Sequence, residues 1–253
     1  MQKHFSLTTL AAAAATALIL AACGGSGGND SSGGTSTNTP GGTTTTAFLP
    51  ATMDFDAREE LLRPGATVPL QVELEDAYGR NVSNPAAANV QVSILSDTTG
   101  GARLSASQLA TVNGDANFTI TLGAAAGTTI VQATTDRSDN NVTNGISNSL
   151  SWLLGMVVTA YGNGLNWDTP ASVTLAPGGR VQLEDADDGA EPYTYTIQGA
   201  AASAGITLST ALRDDDPILT VPASTARGTY AATLQVTDRM GAVLQMPMTI
   251  VVQ

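Results

Sequence analysis

The sequence predicts an all-β protein in which two tandem β-sandwiches follow a signal peptide and a disordered linker. Three observations predict it: an uncharged apolar stretch near the N-terminus, a segment of small polar residues after it, and alternation of apolar and polar residues over most of the remaining chain. Alternation with a period of two is typical of strands that bury one face. The expected segments are 1–22, 23–46, 47–154 and 155–253.

Residues 1–22 are predicted to be a lipoprotein signal peptide. Lys3 and His4 precede an Ala-rich run of 16 uncharged residues, 7–22, which is shorter than the ~20 residues of a membrane-spanning helix. The run ends in Leu20-Ala21-Ala22-Cys23, which resembles the lipobox of bacterial lipoproteins. The resemblance implies cleavage before Cys23 and acylation of that residue. The alternative is an ordinary secretory signal in which Cys23 is incidental.

Lipidation at Cys23 would make the protein a membrane-anchored one without a transmembrane helix, because two or more acyl chains give stable anchoring. In lipoproteins of this kind an Asp directly after the Cys is associated with retention at the inner membrane. This chain has Gly24 there, so the resemblance implies the outer membrane. Whether the rest of the chain faces the periplasm or the exterior stays open.

Residues 23–46 begin with the lipidated Cys and continue as a linker of Gly, Ser, Thr, Asn and Pro. Such a segment cannot bury enough apolar surface to offset its conformational entropy. A flexible chain of this length has an end-to-end distance of roughly 25–30 Å. The linker is therefore expected to hold the folded part near the membrane while leaving it free to reorient.

The composition after residue 22 excludes several kinds of function. No Lys or His remains, and nine Arg face 22 Asp and Glu, a net charge of −13. Histidine-assisted acyl transfer, Schiff-base chemistry and zinc sites of His and Cys lack their side chains. Acidity without a basic cluster argues against nucleic acid as a partner. We therefore predict that the protein is not an enzyme.

Residues 47–253 predict two sandwiches because their 207 residues are about twice the ~100 of one immunoglobulin-like domain. No helical stripe follows the signal, apart from a possible turn at 57–63 before Pro64-Gly65. The period-two runs begin with Val68, Leu70, Val72 and Leu74; the others are Val90–Ile94, Phe118–Leu122, Leu150–Leu154, Tyr193–Ile197, Tyr230–Val236 and Leu244–Val252.

Two turns and one tyrosine support this interpretation. Asp76 and Gly79 bracket a four-residue turn after one strand, as Asp238 and Gly241 do after another. Asp at the first position and Gly at the fourth are typical of type I turns, in which the carboxylate accepts local N–H groups. Tyr230 stands at the start of a late strand, where a tyrosine corner forms in immunoglobulin-like domains.

These motifs resemble known domain families. The stretch Val68–Thr135, with Asp76-x-x-Gly79, Val90-x-Val92-x-Ile94 and Thr111–Ile120, resembles the group 1 bacterial immunoglobulin-like domain of the invasin and intimin type. Pro192-Tyr193-x-Tyr195 and Gly228–Gly241 resemble immunoglobulin-like or cadherin-like modules of bacterial surface proteins. The resemblance implies β-sandwiches that serve as spacers in surface arrays. It does not include a lectin-like receptor-binding tip.

Calcium is the metal that the residue types allow, because it takes oxygen ligands from loop carboxylates, Asn and carbonyl groups. The candidates are Asp136 and Asp139 late in the first half, and Asp185 and Asp187 in the second. None follows the EF-hand order of ligands. Solvated acidic loops are the more common explanation of such runs, so the sequence predicts no cofactor other than the lipid on Cys23.

A ligand site is suggested by Tyr161 and Trp167, which stand beside Asp168 in a Gly-rich segment. Exposed aromatic rings stack on sugar rings, and acids accept hydroxyl hydrogen bonds. Aromatic residues are also the largest hydrophobic anchors, and they often pack where two domains join. The segment lies near the expected domain boundary, which favours packing at the joint.

The sequence therefore predicts a non-catalytic, lipid-anchored protein of the cell envelope whose immunoglobulin-like domains act as a structural spacer or interaction module. The alternative is an adhesin-like module that binds an envelope or host protein, or a glycan, with or without calcium. A contiguous exposed apolar patch would favour the alternative, since monomeric proteins seldom leave such patches uncovered.

Overall fold

A computed structural model describes residues 48–57, 62–160, 162, 164–210 and 216–253. The predicted signal peptide, Cys23 and the predicted linker lie outside these residues, as does Tyr161. None of the helices in the described part is long and apolar enough to cross a membrane. The described chain is almost entirely β, as predicted, with one short helix.

The first half forms a sandwich with the strand order of a constant-type immunoglobulin domain. The sheets have the orders β1-β2-β6-β4 and β5-β3-β7-β8-β9. With β5 and β9 set aside and the other strands lettered A to G along the chain, these orders correspond to ABED and CFG. The strands are β1 (Thr52–Ala57), β2 (Thr67–Glu75), β3 (Val90–Asp97), β4 (Arg103–Leu104), β5 (Gln108–Leu109), β6 (Asp115–Thr121), β7 (Gly127–Asp136), β8 (Ser149–Val158) and β9 (Asn166–Pro170).

The second half forms another immunoglobulin-like sandwich. Its sheets have the orders β10-β16-β15-β12 and β11-β14-β13, and β10 runs parallel to the last strand, β16. The elements are β10 (Ser172–Leu175), β11 (Arg180–Gln182), β12 (Thr194–Gly199), α1 (Ala200–Ser203), β13 (Thr207–Thr210), β14 (Pro217–Thr220), β15 (Gly228–Thr237) and β16 (Val243–Val252).

Each half has its own hydrophobic core. In the first, the predicted face of β2 is buried, and Phe55 and Phe118 bring their ring centroids to 6.0 Å across the sheet. In the second, β16 places Leu244, Met246 and Met248 inward at alternate positions. The period-two runs of the sequence therefore located the main strands of both cores.

β8 is buried on both faces and belongs to both cores. Leu154, Met156 and Val158 pack in the first core, whereas Leu153 packs in the second. Gly155 lies between them, where an added Cβ would collide with Met246 Sδ and lie 2.9 Å from Leu244 Cδ1. The predicted boundary between 154 and 155 falls inside this strand, so a division of the chain there would cut β8 in two.

A single extended segment passes from one sandwich to the other. β9 pairs antiparallel with β8, and β10 pairs parallel with β16. Ala171, the residue between them, donates its N–H to the carbonyl of Ser151 at 3.1 Å and accepts the N–H of Thr249 at 2.9 Å. The backbone therefore ties the two sandwiches together with hydrogen bonds at one residue.

The predicted turns and the tyrosine corner are confirmed. Asp76 accepts the N–H groups of Tyr78 and Arg80 at 2.9 and 3.0 Å, and Gly79 has φ 71°. Asp238 accepts the N–H of Ala242 at 2.8 Å in the equivalent turn. The hydroxyl of Tyr230 donates to the carbonyl of Ala226 at 2.7 Å. The possible helical turn at 57–63 falls mostly on residues outside the described part.

Candidate functional site

The outer face of β1 and β2 is unusually acidic. Met53 and Phe55 of β1 point into the core, so Asp54 and Asp56 point outward. In the antiparallel register Asp54 stands opposite Glu73, and Asp56 stands opposite Gln71. Like charges directly across a strand pair are destabilising. The register therefore places the carboxylates of Asp54 and Glu73 next to each other on this face.

The joint between the sandwiches brings two more acids to this face. β9 supplies Asp168, and the loop that follows β11 supplies Glu184. Carboxylate oxygens of Asp54, Asp168 and Glu184 all lie within 4.8 Å of one another. We call these three residues the joint carboxylates. They come from both halves of the chain, so only the folded joint assembles them.

The two tryptophans of the chain flank the joint carboxylates. The indole N–H of Trp152 donates to Asp168 Oδ2 at 3.2 Å, and that of Trp167 donates to the carbonyl of Glu184 at 2.8 Å. Trp167 is fully buried and packs against Tyr195 with ring centroids 5.3 Å apart. These contacts hold β9 and the 184 loop in fixed positions.

Mutual repulsion and burial raise the pKa values of these acids. Burial, followed by the charges of Glu184 and Asp54, raises the pKa of Asp168 well above its ordinary value. Burial and the charge of Asp54 raise the pKa of Glu184 to about 7. Burial and the charge of Asp56 also raise the pKa of Asp187. The site therefore favours either shared protons or a bound cation.

A cleft of about 210 Å³ opens beside the joint carboxylates and is lined by Asp54, Asp56, Gln71 and Glu73. Gln71 is only 9% exposed. Ligand pockets for drug-sized molecules span about 300–1,000 Å³ and are mostly apolar. A small cleft with polar walls suits an ion and its waters better than an organic substrate.

The structure places the candidate residues of the sequence analysis in different parts of the fold. Asp168 belongs to the joint carboxylates, and the charge of Asp185 helps raise the pKa of Glu184. Asp187 pairs its backbone with that of Asn166. Trp167 has no exposed face on which a sugar could stack. Its side chain instead packs at the joint between the sandwiches. Tyr161 lies outside the described residues.

Asp136 and Asp139 line a different cleft, of about 290 Å³. Asp136 is buried and accepts hydrogen bonds from Ser138, Ser147 and Asn148, which lower its pKa. Asp139 accepts the side-chain amide of Asn144 at 2.6 Å. These carboxylates hold their own loop in shape.

Sequence reasoning missed Asp54 and Asp56, and Glu184 begins an acidic run of the kind that is more commonly a solvated loop. One signal could have identified Asp54 and Asp56. Apolar and acidic residues alternate in Met53-Asp54-Phe55-Asp56, which places both acids on the outward face of a strand. No sequence pattern pairs that strand with residues 168 and 184, because the contact depends on how the two sandwiches meet.

The chain was compared with known proteins and solved structures. No protein-family model matches it, and no curated protein does. The solved structures it matches include the D0-D1 domain of intimin, with 12% identity and a TM-score of 0.33 over 78% of this chain and 97% of that one.

Two further matches have TM-scores of 0.29 and identities of 15%. One is a C-terminal 282-residue fragment of intimin in complex with the intimin-binding domain of its translocated receptor, and the other is the Escherichia coli adhesin FdeC. They cover 78% and 79% of this chain, which spans only 64% of the length of each. At such TM-scores the likeness supports no statement about partners. The fold is assigned from the strand order instead.

Proposed function

We propose that the chain is a non-catalytic, lipid-anchored protein of the outer membrane whose two sandwiches form a rigid spacer in the cell envelope. The observation that carries the proposal is the joint: β8 is shared by both cores, and Ala171 bonds to both sandwiches. A flexible pair of domains would have a polar linker at this point. A rigid unit on a flexible tether suits a spacer, whose length fixes a distance within the cell envelope.

Rigidity at the joint can be measured by pulsed electron spin resonance between two labels. Cys23 is the only cysteine, so a Cys23→Ser background accepts labels at Asn117→Cys in the first sandwich and Thr196→Cys in the second, both of them exposed. We expect a distance distribution as narrow as that of a control pair within the first sandwich, Asn117→Cys and Gln91→Cys. A broad distribution for the first pair alone would contradict the spacer role.

Anchoring is tested separately in cells. We expect the native chain to incorporate radiolabelled fatty acid and to fractionate with the outer membrane, because several acyl chains hold a protein at a bilayer. Cys23→Ser should abolish both results without changing the fold. Membrane fractionation that survives Cys23→Ser would contradict the lipid anchor and leave the spacer measurement unaffected.

The adhesin-like alternative is favoured by one observation. Tyr78 and Phe48 are 84% and 41% exposed, and both rings lie against Arg80, whose guanidinium carbon is 5.2 and 3.9 Å from their centroids. This aromatic cluster at one end of the first sandwich is the kind of surface that partners recognise. If the module binds a protein or glycan there, the Phe48→Ser/Tyr78→Ser variant should lose a partner that the native chain captures from envelope extract.

A further inference from the structure

We propose that β12 of the second sandwich is an interaction surface on which a second copy of this chain pairs edge to edge. β12 lies at the outer edge of its sheet, with β15 as its only neighbour among the described strands. The open side of an edge strand presents backbone N–H and C=O groups that can pair with another chain. The proposal goes beyond the spacer role, because pairing on β12 requires neither the shared strand β8 nor the lipid anchor.

The other edge strands in the described part carry features that oppose pairing. β1 points Asp54 and Asp56 outward, and β9 contains Asp168 and ends in Pro170. β4, β5, β10, β11 and β13 have only two to four residues. Natural proteins protect sheet edges by short strands, charges, Pro and bulges. β12 has six residues in unbroken register with β15, and none of them is charged or Pro.

The surface beside β12 is uncharged as well. β13 forms the edge of the opposite sheet and contacts β12. The side chains that the two strands expose are Thr194, Thr196, Gln198, Thr207, Ser209 and Thr210. The chain has 22 acidic and 10 basic residues, so two copies repel each other overall. On this neutral side a second copy meets no like charge, which is the electrostatic complementarity that self-association of an acidic chain needs.

The pattern of β12 is complementary to itself. Thr194, Thr196 and Gln198 point to one face of the sheet, and Gly199, with φ 88°, ends the strand. Residues directly opposite each other in an antiparallel pair share a face, so a two-fold pair must be centred on a residue. Centring on Thr196, the middle of Thr194–Gln198, places Thr194 opposite Gln198. Each chain uses β12 once, so the contact is isologous and closes at a dimer.

One pair of short strands is a small interface, so the association is weak in solution. We expect a dimer Kd of about 10⁻⁵ to 10⁻⁴ M. Lipid anchoring, which belongs to the proposed function, would raise the local concentration of the chain and favour the dimer. Because of this pairing, the spin-label measurement of the joint uses labelled chain diluted in unlabelled chain.

Sedimentation equilibrium of the full chain in density-matched non-ionic detergent measures the association. We expect a monomer–dimer equilibrium for the native chain between about 10 and 300 µM. Thr196→Glu places like charges together at the two-fold axis and should weaken dimerisation about ten-fold or more. Thr174→Glu, on the exposed face of the opposite edge strand β10, is the matched control and should dimerise as the native chain does.

Three sedimentation results would overturn the proposal. They are a native chain that stays monomeric over this range, a Thr196→Glu variant that dimerises as the native chain does, and a Thr174→Glu variant that loses dimerisation to the same extent. None of these results depends on the anchor or on rigidity at the joint, so failure here and failure of the proposed function are distinguishable.

Disulfide formation in the full chain tests the register by a gain of signal. Directly opposite residues in an antiparallel pair have Cα atoms about 4.5–5.5 Å apart, which a disulfide can span. Mild oxidation of envelope membranes should give a covalent dimer from Thr196→Cys but not from Thr174→Cys, which carries the same Cys23. Equal yields from both variants, no dimer from Thr196→Cys, or a ladder of larger species would contradict a closed pair. Capture of a different protein by Thr196→Cys would assign the edge to that partner and overturn pairing with a second copy.

Discussion

Asp97 shows how a single carboxylate can organise a turn in this protein. One oxygen accepts the N–H of Thr99 at 2.9 Å, and the other accepts the N–H groups of Gly101 and Ala102 at 2.9 and 3.0 Å. Burial alone would raise the pKa of Asp97, but these hydrogen bonds and that of the Thr99 hydroxyl hold it well below its ordinary value. The folded state therefore favours the ionised form.

The stability that Asp97 contributes should depend on pH with a definite sign. A pKa that is lower in the folded state gives stability that is present above the unfolded pKa, about 3.9, and is lost as pH falls below it. Asp97→Asn removes two backbone hydrogen bonds and should cost about 1–2 kcal/mol at pH 7. The difference from the native chain, measured by urea unfolding, should shrink toward pH 3; a constant difference would contradict this account.

At the same scale, prediction from sequence succeeded where the chemistry is local. Asp76, Asp238 and Tyr230 act on backbone a few residues away, so turn spacing alone identifies their roles. The proximity of Asp54 and Glu184 could not be predicted, because no pattern in the sequence connects residues so far apart along the chain. Long-range contacts of this kind depend on the docking of whole elements.

Among the elements, β8 departs most from its sequence pattern. Alternation of Leu150, Trp152 and Leu154 predicts a strand with one buried face, and that face does meet the first core. The intervening Leu153 is buried as well, because the second sandwich covers the outer face. An apolar run buried on both sides resembles a strand of a covered sheet, which a two-domain interpretation of the sequence would not expect at its boundary.

Gly155 is the residue of β8 that close contact with β16 requires. An added Cβ would collide with Met246 Sδ and lie 2.9 and 3.1 Å from the two methyl carbons of Leu244, which are flexible side-chain ends that can shift, whereas the two further methyl groups of valine need still more space. We expect Gly155→Ala to cost little and Gly155→Val to cost about 1–3 kcal/mol by overpacking. Urea unfolding measures both; Ser149→Val, exposed on the same strand, is the control and should be close to neutral.

At the scale of the whole molecule, the joint determines whether the two sandwiches unfold as one cooperative unit or as two. Length and alternation predict two sandwiches, because each needs about 100 residues and its own core. Their coupling could not be predicted from the sequence, because it depends on the backbone of Ala171 bonding to both sandwiches and on the outer face of β8 packing in the second core. Two cores that share a strand are expected to lose their structure together.

We therefore expect the native chain to unfold in one calorimetric transition, with equal calorimetric and van't Hoff enthalpies, which is the criterion for a single cooperative unit. Breaking the second core exposes Leu153 and removes the partner of β10, and both changes destabilise the first sandwich at β8 and β9. Gly155→Val weakens this coupling and should broaden the transition or split it into two, while Ser149→Val should keep one. Two separate transitions in the native chain, each with the enthalpy of one sandwich, would show that the shared strand does not couple them.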